Sequence, residues 1–348
     1  MDNSFSEILK FEIDELAADL EKIDYNSLSI SEYNKSYIQN IKPFLKYHLE
    51  IYASCIKEGL RNINLALTDI TLADYGGGSG FLSILAKRIG FKNVIYIDLN
   101  PKSVHTINLL KDKIGIGPDI ILQGNSQELK KWCADNNICP NLLIATDLIE
   151  HVYDLNTFFD ELAYIGNMQM VFSTGSNPYN PVVKKRLRKY MIGCETGSME
   201  NPNYYTLRHQ YIKENFPHLS SEMMICFAKQ TRGLIYSDIE SFVNENSKPI
   251  SIDDYNTCDP QTGNWVERIL PVKDYKNILS RHNYKVKVKK VLYNTKRRNA
   301  ILSFVFKMLN VAILLSGNLG LFISPIILLS CKTSTVIDCV DNEKRKIK

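Results

Sequence analysis

The sequence predicts an α/β domain: a doubly wound, mostly parallel sheet with helices on both faces. Three observations carry that expectation. Short apolar runs alternate with helical runs from Thr71 onward, a rhythm that belongs to parallel strands joined by crossover helices. A glycine-rich turn, Gly76-Gly77-Gly78-Ser79-Gly80, separates the first apolar run from the first helix after it. The second apolar run, "NVIYIDLNP", ends in an acid followed by a helix-opening proline.

The elements follow in order. "SFSEILKFEIDELAADLEKI" spaces its apolar residues helically, with Ser4 or Ser6 as a cap. A second helical stretch runs from about 31 to 62 and should bend at Pro43. These helices precede the first strand and either cover a site as a lid or pad the sheet. Strands are expected near 70–75, 93–98, 119–123, 142–147 and 168–174, with helices at 80–90, 101–114, 125–137 and 155–165. The rhythm breaks after Ser173. Residues 181–270 are polar and helical in places. A helix at about 273–282 and a strand at about 284–293 restore the pattern. The apolar end divides at Ser316-Gly317-Asn318 into a helix (299–315) and a last strand (324–331). The expected organisation is a helical cap (1–66), a core (67–180), a specificity insertion (181–270), a completion of the core (271–335) and a basic tail (336–348).

Composition limits the function classes only loosely. The 348 residues are 45% hydrophobic and 23% charged, as for a globular chain with a sizeable core. A net charge of +4 selects no partner, but its distribution is uneven. From Leu270 onward 16 Lys/Arg face 4 Asp/Glu, whereas residues 1–50 hold 5 against 10. The eight cysteines form no Cys-x-x-Cys, which suits free thiols in a reducing cytoplasm. His209 and His218 with Cys226 or Cys258 match no zinc spacing, so no metal is expected. The first residues show neither a basic nor an apolar leader region, so no signal peptide is expected.

The glycine turn narrows the ligand. Glycines let backbone approach a bound molecule, and the helix beyond offers free N–H groups. A dinucleotide fingerprint would need glycine at 81, where Phe81 stands, and no lysine follows for a phosphate-binding loop. The pattern that fits is Asp-x-Gly-x-Gly-x-Gly, from Asp74 to Gly80. Asp98, eighteen residues after Gly80, stands where a carboxylate can accept both hydroxyls of a ribose.

With "ADYGGGSG", "YIDLNP" and "ATDLIEHVYD" in place, the sequence resembles the class I S-adenosylmethionine-dependent methyltransferases. The last of these runs looks like the Glu-His-Val segment of the subgroup that includes the ubiquinone-pathway O-methyltransferases, whose fifth strand and exit loop "MVFSTGSNPYNP" also resembles. The resemblance covers roughly 68–180, 272–293 and 322–332. It implies a Rossmann-like, seven-stranded sheet with an antiparallel last strand, and S-adenosylmethionine as cofactor. Asp74, Gly76, Gly78 and Gly80 would line its methionine side. Asp98 would take the ribose, Leu99 would also touch the cofactor, and Asn125 and Ser126 would stand beside adenine. The family often has Asp where Asn125 stands. Asp147 would face cofactor or substrate.

Methyl transfer to a hydroxyl benefits from a general base, and His151 is the candidate, with Glu150 orienting it or acting itself. The structural alternative for His151 is helix capping, with Asp154 able to cap instead. In the insertion, "NTCDPQTGNWVER" could hold a polar substrate against Trp265 and Asn264, with Arg208 nearby, or could be a self-packed loop anchored by Trp265. "VVKKRLRKYMIG" is basic and amphipathic. The 24 residues from Met308 to Cys331 carry no charge, and Lys296, Arg297 and Arg298 precede the helix. Core or oligomer packing, membrane-surface contact through 296–315, and a true span all remain open there.

The expectation is therefore a methyltransferase acting on a small-molecule or lipid-linked acceptor, with oxygen as acceptor atom implied by the resemblance alone. It would be cytoplasmic, with membrane association and homo-oligomer formation open. The rivals are a non-catalytic binder of the cofactor or another nucleotide and a nicotinamide-dependent oxidoreductase. A nucleic-acid substrate is not expected: no Asn/Asp-Pro-Pro-aromatic box is present, and "NPYN" at 177–180 follows the wrong strand.

Overall fold

The computed structural model describes residues 3–198, 202–245, 255–296 and 299–333. The expected basic tail at 336–348, and Arg297 and Arg298, lie outside these residues. Seven strands form one sheet in the order β3-β2-β1-β4-β5-β7-β6. They are β1 (Thr71–Tyr75), β2 (Asn93–Asp98), β3 (Ile120–Gln123), β4 (Leu142–Thr146), β5 (Gln169–Thr174), β6 (Tyr284–Lys290) and β7 (Ile327–Thr333). β1 to β5 pair in parallel, and β7 runs antiparallel to both β5 and β6. This is the Rossmann-like sheet with one reversed last strand that was expected.

The central strands are buried and largely apolar because both faces are covered. Side chains alternate between two cores. Leu72, Ile144 and Val171 join the cluster beneath the N-terminal helices. Ala73, Leu143, Ala145, Met170 and Phe172 join the opposite one. The first core is roofed by α1 (Asn3–Lys22), α3 (Leu45–Leu60), α4 (Phe81–Arg88) and α5 (Pro101–Ile114). The second is covered by α6 (Ser126–Asn136), α7 (Leu155–Ile165) and α12 (Val272–Ser280). Between α1 and α3, α2 (Glu32–Ile41) passes through a 3₁₀ turn at Lys42–Phe44, so the break falls at Pro43 as expected. β6 is the sheet's edge, where Lys285 and Lys287 are exposed, a charged edge that discourages strand addition.

The insertion holds α8 (Pro181–Thr196), α9 (Tyr204–Asn215), α10 (Ser221–Gln230) and α11 (Tyr236–Glu245). The last three share a small core of their own, including Ile212, Phe216, Ile239 and Phe242. The apolar helix α13 (Ala300–Leu315) joins β6 to β7. Core packing does not account for it, since Ile313 alone among its described residues is buried. Among the described residues no helix is long and apolar enough to cross a membrane.

Candidate functional site

The site lies along the edge where β1, β2, β4 and β5 end. β1 delivers Asp74, which is 1% exposed, and its Oδ2 accepts a 2.7 Å hydrogen bond from the Ser83 hydroxyl. Burial pushes its carboxyl up to about 7, against the lowering pull of the Ser83 contacts. The chain then turns through Gly76, Gly78 and Gly80 with φ of +69°, +53° and +75°. These are left-handed conformations that cost other residues about 1 kcal/mol or more. A Cβ on Gly80 would collide with Ile107, and one on Gly76 with Leu148. At Gly78 a Cβ would meet no protein atom within 4 Å. The surface there is bare backbone.

Asp98 closes this turn from β2. Its Oδ2 accepts from the Gly78 N–H at 2.8 Å, and its Oδ1 accepts from the Asn100 N–H at 2.8 Å. Each carboxylate oxygen thus keeps lone-pair capacity for a further donor. Asp98 is half-buried, and burial raises its carboxyl while the two N–H contacts oppose that rise. The phenol of Tyr96, itself fully buried, donates to the Gly78 carbonyl at 2.7 Å. Leu99 is 71% exposed beside it. Asn125 spends its side-chain oxygen on capping α6 through the Gln127 N–H at 3.0 Å. The Ser126 hydroxyl donates to Glu161, so it is left only as an acceptor.

The loop after β4 carries the other candidates. Asp147 is exposed, adopts φ +55°, and its N–H donates to the Ser173 carbonyl at 3.0 Å. Glu150 is fully buried. Its Oε1 accepts from the Thr174 hydroxyl at 2.6 Å and the Gly175 N–H at 3.1 Å, while Oε2 has no partner. Burial first, then the charge of Asp147, holds its carboxyl well above the usual range. The expectation that Glu150 orients His151 is thereby corrected: the glutamate faces β5 and its exit loop. His151 is oriented instead by the insertion. Its Nδ1 lies 2.7 Å from the Trp265 carbonyl oxygen. A carbonyl only accepts, so the ring proton sits on Nδ1, and the neutral imidazole keeps its lone pair on Nε2. Helix capping is not its role, because Asp154 caps α7 through the N–H groups of Asn156 and Thr157.

The three substrate candidates in the insertion separate. Arg208 is fully buried, paired with Glu195 and donating from Nε to the Ala228 carbonyl at 3.2 Å. Its charge is neutralised inside the insertion, which corrects its assignment to substrate. Trp265 is 6% exposed, stacks on Tyr153 and has the Arg268 guanidinium over its ring, so the ring is an anchor rather than an open platform. Its backbone still serves the site: the Trp265 N–H donates to the His151 carbonyl at 3.2 Å, and the Arg268 N–H donates to that of Glu150 at 3.1 Å. Asn264 is exposed at the tip of this loop, its carbonyl accepting from Asp259.

Three contributors escaped the sequence reading, and a fourth, Glu267, lies in the loop it singled out. Glu267 accepts from the Ser176 hydroxyl at 2.8 Å, and burial followed by the charge of Asp147 raises its carboxyl. Tyr37, His48 and Tyr52, from α2 and α3, also lie within electrostatic reach of Asp147. Burial raises both phenols and lowers the imidazole. The N-terminal helices therefore pad the sheet with one face and supply a rim to the site. No linear motif marks these residues, because the sheet alone brings α3 beside β4.

No family model matches the chain. Part of it is similar to two curated proteins, each called ribosomal protein L11 methyltransferase. The one from Hamiltonella defensa subsp. Acyrthosiphon pisum is 33% identical over 82 residues, 24% of this chain and 27% of the relative. The one from Colwellia psychrerythraea is 33% identical over 94 residues, 26% and 32% of the two chains. The chain thus spans less than a third of the length of the curated relatives it matches. Among solved structures, it resembles the magnesium protoporphyrin IX methyltransferase from Synechocystis PCC 6803 with bound SAH. The TM-score is 0.38 at 11% identity, over 82% of this chain and 80% of that one. The YcgJ protein from Bacillus subtilis gives a TM-score of 0.40 at 11% identity, over 82% and 98%.

Proposed function

We propose that this chain is an S-adenosylmethionine-dependent methyltransferase acting on a small-molecule or lipid-linked acceptor, with transfer to oxygen. One observation carries the reading: Asp98 holds the Gly78 N–H while keeping free acceptor capacity, beside a backbone surface that no side chain obstructs. Those acceptor oxygens fit the donating hydroxyls of a ribose diol, and the bare backbone fits an adjoining amino-acid chain. When bound, the cofactor supplies a methyl group already activated on a sulfonium. The protein's share is placement and exclusion of water. Asp98 takes the ribose hydroxyls, Gly76 to Gly80 admit the methionine portion, and Leu99 with the Asn125 amide nitrogen borders the base. His151 takes a proton from the acceptor hydroxyl at Nε2, with its Nδ1 proton held by the Trp265 carbonyl.

A second reading, transfer to an amine, has its own support. Asp147 and Glu267 act on one another electrostatically, a setting that would draw a protonated amine, which must give up a proton to His151 before its nitrogen can attack. The printed names of the two curated relatives add a protein acceptor to that list.

Calorimetric titration with S-adenosylhomocysteine tests the cofactor, with Asp98→Ala as control. Labelled donor incubated with fractionated lipids, small molecules and proteins then tests transfer. Binding without product from any fraction leaves the non-catalytic binder standing. Binding of NADH in place of S-adenosylhomocysteine overturns the proposal in favour of the oxidoreductase.

A further inference from the structure

Helix α13 inverts the usual arrangement of a surface helix. Such helices turn an apolar stripe to the core and polar residues to water. Here the polar residue makes the attachment. Asn310 grips the backbone of Tyr293 on both sides: its Oδ1 accepts from the N–H at 2.7 Å, and its Nδ2 donates to the carbonyl at 2.9 Å. Lys290 holds the helix's C-terminal end through the carbonyls of Ile313 and Gly317. The apolar side chains point away. Ile301 is 73% exposed, Phe304 63%, Leu314 63% and Leu315 82%, and Leu319 and Phe322 continue the surface into the next turn. Single exposed leucines are ordinary on proteins, but a contiguous apolar helix is not.

The surroundings say what covers it. No Asp or Glu occurs between Tyr284 and Thr333, and Lys285, Lys287, Lys296 and Lys307 are exposed there, whereas Lys289 pairs with Glu58 and Lys290 is spent on the helix end. Asp14, Glu21 and Glu50 line the cavity on the helix's inner side with Asn310 and Ile313. An outward apolar patch in a segment whose exposed charges, among the described residues, are all lysines complements one occupant well, an anionic lipid surface. A second copy of the chain would set these lysines against one another. Sixteen residues of helix reach about 24 Å, short of the roughly 30 Å of a hydrocarbon core, so the helix lies in the interface plane.

We propose that α13 docks this protein on anionic membrane surfaces. The placement brings the site with it. β6 ends at Lys290 and β7 starts at Ile327, which pairs with Thr174 at the end of β5, so α13 rises from the edge that carries Asp98 and His151. Asn177 and Asn180, in the loop that follows Gly175, both donate to the Ser324 carbonyl, at 2.8 and 3.0 Å. The segment that leads from α13 to β7 is thus hydrogen-bonded to the exit loop of β5. The proposal stands on α13 and does not depend on methyl transfer.

The test is flotation of the full chain with phosphatidylcholine vesicles, with and without phosphatidylglycerol, at low and high salt. The expected result is at least about tenfold greater recovery with the anionic vesicles, reduced by salt. The double variant Phe304→Asp/Leu315→Asp should lose flotation while keeping its circular dichroism and melting temperature, because both side chains are exposed. A variant that floats like the wild type overturns the proposal, as does failure of the wild type to float. So does a solution dimer, seen by light scattering, that the double variant splits: α13 would then be covered by a second copy.

Discussion

The Nδ1 of His151 lies 2.7 Å from the carbonyl oxygen of Trp265, 114 residues further along the chain. A main-chain acceptor at that position sets the tautomer whatever the side chain at 265, so the indole and the imidazole have separable roles. His151→Ala should lower turnover by about 10²- to 10⁴-fold, the usual contribution of a positioned general base. Affinity for S-adenosylhomocysteine should stay within about threefold, since no cofactor contact is assigned to it. Trp265→Phe keeps the carbonyl but loses the bond from the indole N–H to the Tyr153 carbonyl and weakens the packing. Its effect on turnover should therefore be the smaller of the two. Kinetics and calorimetry on the same preparations check both, and full turnover in His151→Ala removes it from the mechanism.

Asp74 makes stability pH-dependent in a defined sense. Its carboxyl is raised from 3.8 to about 7 in the folded chain. Between those values the native state keeps a proton that the unfolded chain has released, so stability falls as pH rises through this window. The full loss is at most about 4 kcal/mol. Asp74→Asn keeps an oxygen to accept from Ser83 and removes the titration. It should melt higher than wild type at pH 8 and flatten the change between pH 5 and pH 8. A wild-type melting temperature that rises over the same range, with no difference in Asp74→Asn, would contradict this account.

The glycines of the turn should separate into two kinds. Gly78→Ala meets open space, so its cost to folding is limited to left-handed strain of about 1 to 2 kcal/mol. It should weaken S-adenosylhomocysteine binding by about tenfold or more, because the new methyl occupies the bare surface. Gly80→Ala adds a collision with Ile107 to similar strain and should be the more destabilised fold. Asp98→Ala should lose binding most, about 100-fold, since it removes two acceptor oxygens and leaves the Gly78 N–H without its partner. Melting curves beside titrations distinguish the two classes.

Much of this was legible in local sequence, and the boundary is physical. Strand and helix positions followed from periodicity, since both faces of the sheet are covered and the period is uninterrupted from Thr71 to Thr174. That the glycine turn and Asp98 serve one site was legible because two adjacent parallel strands bring their ends together, but the bond from the Gly78 N–H to Asp98 was not. The requirement for glycine at 77 was not, because it depends on Tyr96 and Asp74 pressing on that position. Arg208 carried a charge that looked available, and only the packing of α8 and α9 shows Glu195 consuming it. The rim from Tyr37, His48 and Tyr52 and the Trp265 carbonyl on His151 are contacts across long stretches of chain, one of them through a backbone atom that no residue type announces.

Glu150 supplies the last prediction. Its Oε1 takes two donors and its Oε2 takes none, and burial holds the carboxyl well above the usual range, which favours its neutral form. Glu150→Gln mimics that neutral form and keeps the oxygen facing Thr174 and Gly175. It should fold as stably as wild type or more so, with the gain growing as pH rises, because a raised carboxyl stabilises the fold below its titration and loses that contribution above it. Turnover should change by less than about tenfold, since His151 is held from Trp265 and not from here. Glu150→Ala strips a buried hydroxyl and a buried N–H of their acceptor and should cost about 1 to 3 kcal/mol. If Glu150→Gln instead abolished turnover with the fold and cofactor affinity intact, a charged glutamate would be working in the reaction, and the division of labour between Glu150 and His151 would have to be reversed.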